Sequence, residues 1–378
     1  MELDVLLKGA SERGASDVHL KLRQPPVLRV DGALEPLDGW EPLTEMDLSH
    51  ALQAVVEASP ARLGRLEDGE LDLAYSAEGL PRFRVNCFRQ RGAVSLAFRV
   101  IPDVAPTFGE LNLPVGVARL AHEERGLILV TGASGVGKTT TLAAMIDEIN
   151  RTRRQHIVTV EDPIEFIHHD LNCIVNQREI GIDTVSFHTA LRSVLRQDPD
   201  VILIGELRDV ETAETALQAA ETGHLVLSTM HTIDAGETIG RLIEFFPGAK
   251  QAQVRSIIAG VLRGVISQRL LPRTDGGRIP AVEVLVMNAR IDELIREHRT
   301  HELQAAIEEG SFHEMQSFQQ ALIGLVLSGD VEPELAANAS TNKHDFLIEL
   351  EHALKRQKAE DKGWIDPRSE HARAGIIR

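Results

Sequence analysis

Aromatic side chains make up only 4% of this 378-residue chain, with one tyrosine and two tryptophans. Aliphatic side chains must therefore fill the interior, and with 43% hydrophobic residues there are enough of them for a packed core. Cysteine is nearly absent. Cys87 and Cys173 stand far apart in apolar patterns, which argues against a disulfide framework, excludes a paired-cysteine zinc motif and leaves two buried thiols in a reducing compartment as the expectation. No apolar run approaches the roughly 20 residues that span a bilayer. The opening Met1-Glu2-Leu3-Asp4-Val5 lacks the basic-then-apolar order of a secretory signal, so any membrane association is expected to come through a partner. Positive charge is also short: 40 Lys and Arg face 57 Asp and Glu, a net charge of −17. That balance argues against a duplex DNA binder, and no nucleic-acid partner is expected.

What is present fits two domains and a tail. Residues 1–101 read as a small α/β domain. Asp17 to Leu22 alternates like a half-buried strand, Val27-Leu28-Arg29-Val30 follows, and Asp31-Gly32 is a turn signal. Residues 44–58 have helical spacing, with Thr44 as the cap. Strand-like runs follow at 70–75, 82–88 and 93–101, the last two joined at Gly92. Pro102, Pro106, Gly109 and Pro114 mark a linker over 102–114. From 115 to 288, short apolar runs such as Leu127–Val130, Ile157–Val160, Val201–Ile204 and Leu225–Ser228 alternate with helical ones. Runs of this kind suit strands buried on both faces of a mainly parallel sheet, an α/β fold. Residues 289–357 read as helical throughout, and 358–378 as a mobile tail.

Gly132-Ala133-Ser134-Gly135-Val136-Gly137-Lys138-Thr139 matches the G-x-x-x-x-G-K-[ST] pattern in full. An apolar strand candidate enters the segment, and a helix candidate from Thr139 to Ile149 leaves it. Glycines let the backbone wrap around phosphate with its N–H groups inward, and the helix N-terminus adds its positive end. Lys138 is expected to neutralise the β- and γ-phosphates of ATP, Thr139 to hold Mg²⁺ and Thr140 to complete the binding segment.

Two apolar runs end in acids. One leads to Glu161-Asp162-Pro163-Ile164-Glu165 and the other to Gly205-Glu206-Leu207-Arg208-Asp209. Both place carboxylates just past the C-terminal end of a buried strand, where open α/β sheets bind ligands. Glu206 is the better general base for water, while Glu161, Asp162 and Glu165 are candidates to order Mg²⁺ or the attacking water. The plain alternative for any one of them is a helix cap or a solvated loop acid. His224 and His231 flank a further short strand. No acid or cysteine completes a metal site with them, and His231, at the ligand-binding edge, is a candidate γ-phosphate sensor. His168, His169 and His188 read as surface or structural.

The order of these segments resembles the secretion ATPase superfamily and, within it, the type IV pilus retraction ATPases of the PilT/PilU type. Gly14-Ala15-Ser16-Asp17-Val18-His19-Leu20, Arg82-Phe83-Arg84-Val85-Asn86 and Ala220-Glu221-Thr222-Gly223-His224 agree with it, and the resemblance runs from about residue 3 to about 352. It implies a PAS-like N-terminal domain, a RecA-like ATPase core and a helical C-terminal region. Glu206 then corresponds to the catalytic glutamate, Glu161, Asp162 and Glu165 to an acidic box, and His224 and His231 to a histidine box. The resemblance further implies a hexameric ring at the inner face of the cell membrane, bound to a pilus platform protein and, in one form, to a paralogous retraction ATPase. Arg84 and Arg99 are the candidates to reach a neighbour's ATP.

Two departures matter. The four-cysteine zinc element of assembly-type relatives cannot be built here, which favours retraction. Where the retraction type has Ala-Ile-Arg-Asn-Leu-Ile-Arg-Glu, this chain has Arg290-Ile291-Asp292-Glu293-Leu294-Ile295-Arg296-Glu297. That change leans towards the PilU-like accessory form, as do Ser186-Phe187-His188 and Ser267-Gln268-Arg269-Leu270. A regulatory nucleotide-binding subunit and a related type II or IV secretion ATPase remain the alternatives.

Overall fold

The computed structural model describes residues 2–59, 63–66 and 69–360. Most of the expected tail, from 361 onward, lies outside the described residues. The strands in chain order are β1 (Asp17–Leu20), β2 (Val27–Val30), β3 (Ala33–Pro36), β4 (Leu63–Arg65), β5 (Glu70–Tyr75), β6 (Arg82–Gln90) and β7 (Ala93–Ile101). They continue with β8 (Gly126–Thr131), β9 (His156–Glu161), β10 (Ile174–Glu179), β11 (Val201–Ile204), β12 (Leu225–Met230), β13 (Leu262–Pro272) and β14 (Arg278–Val286). The described residues form two compact units, one drawn from 2–107, 143–207 and 214–219, the other from 108–142, 208–213 and 220–360.

In the first unit, β1 to β7 form an antiparallel sheet of order β3-β2-β1-β7-β6-β5-β4. Alternation drives it: β6 buries Phe83, Val85 and Cys87 and turns the residues between them outward. Helices Leu3–Glu12 and Glu45–Ala58 bury Leu6, Leu7, Leu48 and Val55 in the same core, which Phe83 and Phe98 fill edge to face. Thr44 caps the second helix in a capping box with Asp47, as its spacing predicts. Arg91 and Gly92, both at positive φ, make the two-residue turn between β6 and β7. The unit also holds β9, with β10 and β11 paired in parallel on either side of it.

In the second unit, β8 lies between β12 and β13, parallel to both. Every residue of β8 and β12 is buried, which is why these segments read as unbroken apolar runs. The parallel pattern ends at β13, which pairs with β14 in a nine-pair antiparallel ladder, so the sheet is mainly parallel as expected. Polar residues within 262–272 interrupt the apolar run that would have announced this strand. The C-terminal region is helical but broken: Ala289–Arg296, Leu303–Glu308, Phe318–Leu327, Pro333–Ala339 and Lys343–Glu360 are separated by turns at residues such as Gly310 and Gly329. Phe318, Leu322, Phe346 and Leu350 pack with Leu271, Ile279 and Ala281 of β13 and β14.

Both cysteines are buried and free, and burial pushes the Cys87 thiol up to about 12. Among the described residues no helix is long and apolar enough to cross a membrane.

Candidate nucleotide-binding site

The phosphate loop leaves β8 at Thr131 and enters a helix, Lys138–Thr152, one residue earlier than its pattern predicts. Gly132, Gly135 and Gly137 take φ values of +139°, +79° and +94°. Gly132 is required twice over. A Cβ there would stand 2.5 Å from the Gln268 carbonyl oxygen and 2.8 Å from Val136 Cγ2, and its backbone conformation is one side chains rarely adopt. Ala133, Ser134 and Gly135 are exposed at the crest, while Val136, Gly137, Thr139 and Thr140 are half-buried. Lys138 is 8% exposed, and its Nζ donates to the carbonyls of Gly132 at 2.8 Å and Ala133 at 2.9 Å. The loop thus curls around its own ammonium group.

Two polar residues of β13 back this loop, and sequence reasoning gave neither a site role. Thr131 Oγ1 donates to Ser267 Oγ at 3.0 Å, and Gln268 Nε2 donates to Thr141 Oγ1 at 2.8 Å. The available signal was the presence of polar residues in an otherwise apolar strand.

Among the acids, Glu161 ends β9 and is 7% exposed. Thr159 Oγ1 donates to its carboxylate at 2.6 Å and Gln177 Nε2 at 3.1 Å. Burial pushes Glu161 above the usual carboxylate range, with Glu165 adding repulsion and the two side-chain donors opposing. Asp162 and Glu165 are exposed. Glu206 follows β11 and is half-buried. The preceding Gly205 N–H donates to Val160 O at 2.9 Å, and a Cβ on Gly205 would meet the Phe187 ring at 3.4 Å. Parallel pairing of β9 and β11 therefore brings Glu161 and Glu206 to the same C-terminal edge. Asp209 caps the next helix, its Oδ1 accepting the Thr212 N–H at 2.8 Å.

The two histidines do not sit together. Met230 lies opposite Thr131 in the β12–β8 ladder, so His231 follows at the level of Gly132. His224 stands at the other end of the strand, its carbonyl accepting the Gly126 N–H at 2.9 Å. Six strand residues lie between the histidines, a separation of roughly 23 Å at about 3.3 Å per residue step.

Arg99 is exposed and pairs with Asp17 at 2.9 Å, and Arg84 lies 3.9 Å from Asp72. Burial pushes Asp17 up, but hydrogen bonds from Arg99 and Ser16 hold it below its ordinary value. A third arginine, Arg82, reaches the buried Glu179 at 3.2 Å and so ties β6 to β10.

The loop and the buried parallel strand that carries it place the chain among the P-loop ATPases. The family model described as type II/IV secretion system protein matches residues 2–332. The chain is 42% identical over 346 residues to the type IV pilus retraction ATPase PilT of Pseudomonas aeruginosa, covering 92% of this chain and all of the relative. It is 40% identical over 353 residues to the type IV pilus ATPase PilU of the same organism, covering 93% of this chain and 92% of that one. A crystal structure of the pilus retraction motor PilT with bound ADP superimposes with a TM-score of 0.82 at 43% identity, covering 91% of this chain and 98% of the other. The chain belongs to the type II/IV secretion system protein family.

Proposed function

We propose that the chain is an ATP-hydrolysing motor that powers type IV pilus retraction and twitching motility. The observation that carries this reading is the phosphate loop itself, closed over buried Lys138 at the end of β8, in a chain similar to PilT over nearly its whole length. Lys138 and the loop N–H groups from Gly132 to Thr140 hold the phosphates of ATP. The oxygen donors here fit a hard cation: the Thr139 hydroxyl in the first helical turn holds Mg²⁺, which neutralises phosphate charge when bound. Glu206 aligns and deprotonates the attacking water. Glu161, Asp162 and Glu165 form the acidic box, with buried Glu161 as its structural anchor and Asp162 and Glu165 facing solvent. His231 senses the γ-phosphate from the loop's edge, and His224 acts from the opposite end of β12.

The assembly is a homo-oligomer, a hexamer on the family resemblance, in which Arg84 and Arg99 reach a neighbour's ATP. It works at the inner face of the cell membrane on a pilus platform protein. The domains are 1–101, a linker 102–114, a RecA-like core 115–288 and a helical region 289–357.

A second reading, the PilU-like accessory form that works with a paralogous retraction ATPase, draws on one local observation. Asp292, where the retraction motif has arginine, binds Arg296 through two contacts of 2.8 and 3.0 Å, occupying a motif arginine within its own helix. Phosphate release by the purified chain, alone and mixed with a paralogous motor, separates the readings. Turnover alone supports the motor, turnover raised only in the mixture supports the accessory form, and none in either sinks both. Sizing with and without nucleotide tests the ring, and a strictly monomeric chain of full activity rules it out.

A further inference from the structure

We infer that Gln268 is a positioning residue that sets the width of the phosphate loop by gripping it at both ends. The loop begins at Gly132, which rests directly on the main-chain carbonyl of Gln268 with no room for a Cβ between them. It ends in the first turn of the helix, where Thr141 donates its N–H to Gly137 O at 3.0 Å and accepts from Gln268 Nε2 at 2.8 Å. One residue thus touches the start of the loop through its backbone and the end through its side chain.

The grip is built to be stiff. Gln268 is 2% exposed, and its Oε1 is buried with no partner among the described residues, so Thr141 is the polar contact that orients the amide. The preceding residue, Ser267, accepts from Thr131 Oγ1 at the last position of β8. The following residue, Arg269, stacks on the Phe318 ring at 4.0 Å and donates to Thr341 Oγ1 at 3.1 Å. Strand β13 is therefore pinned before and after the gripping residue.

An inward-facing cradle of N–H groups binds phosphate only while the loop keeps its curvature. Loosening one end lowers the fraction of molecules in the binding-competent form, and the apparent Kd rises by the inverse of that fraction. Nucleotide at saturation restores the same loop, so turnover at saturation is nearly unchanged. A residue that took part in chemistry would lower kcat instead.

The test uses the full-length purified chain, a fluorescent ADP analogue for affinity and steady-state phosphate release for kcat. Gln268→Met and Thr141→Val each remove the hydrogen bond at near-constant shape, while Thr141→Ser keeps the hydroxyl. The expected result is a roughly ten-fold rise in Kd for Gln268→Met and for Thr141→Val, the scale of one lost hydrogen bond. Turnover at saturation should stay within about three-fold, and Thr141→Ser should bind like the parent chain. The double variant should be no weaker than either single one, because both remove the same contact. Additive losses, or parent-like affinity in folded Gln268→Met, overturn the inference. If Gln268→Met does not fold, Thr141→Val decides alone, and parent-like affinity there also overturns it. The inference rests on the nucleotide reading, but a parent chain that fails to bind the analogue would sink that reading, whereas a binding parent with unaffected variants sinks only the grip.

Discussion

Glu283 on β14 accepts the main-chain N–H of Ala235 at 3.0 Å, and that N–H opens the helix Ala235–Glu244 directly after the His231 loop. A free N–H in the first turn of a helix needs an acceptor, and a carboxyl supplies one. Yet Glu283 is 1% exposed, and burial pushes it up to about 7, with the charge of Asp234 adding to the rise and Arg269 opposing it. Because its ordinary value is 4.5, the folded chain holds a proton here that the unfolded chain has released between those two pH values. Stability from this group is therefore complete below about 4.5 and is lost as pH rises through about 7. Glu283→Gln keeps an acceptor and removes the ionisation. Relative to the parent chain, it should gain on the order of 1–3 kcal/mol between pH 5 and pH 8. Denaturant melts at both pH values check this, and a gap that does not change with pH refutes it.

Lys138→Ala should abolish ATP hydrolysis and leave the fold intact. The Nζ contacts with Gly132 and Ala133 stay within the loop, and alanine is a good helix residue at the first position of Lys138–Thr152. Phosphate release beside a thermal melt measures both. Normal turnover would remove the loop from the active site.

Glu206→Gln should separate binding from chemistry. It preserves size and hydrogen bonding at the end of β11 and loses the base. Nucleotide affinity should survive while turnover falls by roughly a hundred-fold or more, the usual scale for general-base loss. Lost affinity would mean that Glu206 mainly organises the site. Unchanged turnover would hand the base role to Glu161 or Glu165.

Gly132→Ala should damage both the loop and the nucleotide site. The new methyl would lie 2.5 Å from the Gln268 carbonyl oxygen at a φ of +139°, so the strand-to-loop junction must shift. Backbone strain of this kind costs about 1–3 kcal/mol. A lower melting temperature with nucleotide affinity at least ten-fold weaker is the expected outcome on that scale. Parent-like affinity would show that the loop tolerates the displacement.

Much of the chain was legible in advance wherever a rule is local. The apolar run into Gly132 and the glycine spacing behind it specify a strand, a phosphate loop and a helix because backbone geometry and burial act over a few residues. The Thr44 cap and the turn at Gly92 were read for the same reason. Other features join residues far apart in the chain. Gln268 and Thr141 are 127 positions apart, and Arg82 and Glu179 are 97. Nothing in the residues around Gln268 states which side chain its amide will meet.

The sequence by itself determined the kind of chemistry, because a phosphate loop is a short pattern of glycine, lysine and threonine whose geometry follows from those residue types. Only the tertiary structure decided how that loop is held and that Glu283 is buried against the helix after His231. Those outcomes depend on strand order and register, which arise from the packing of whole elements and so cannot be read from any one segment.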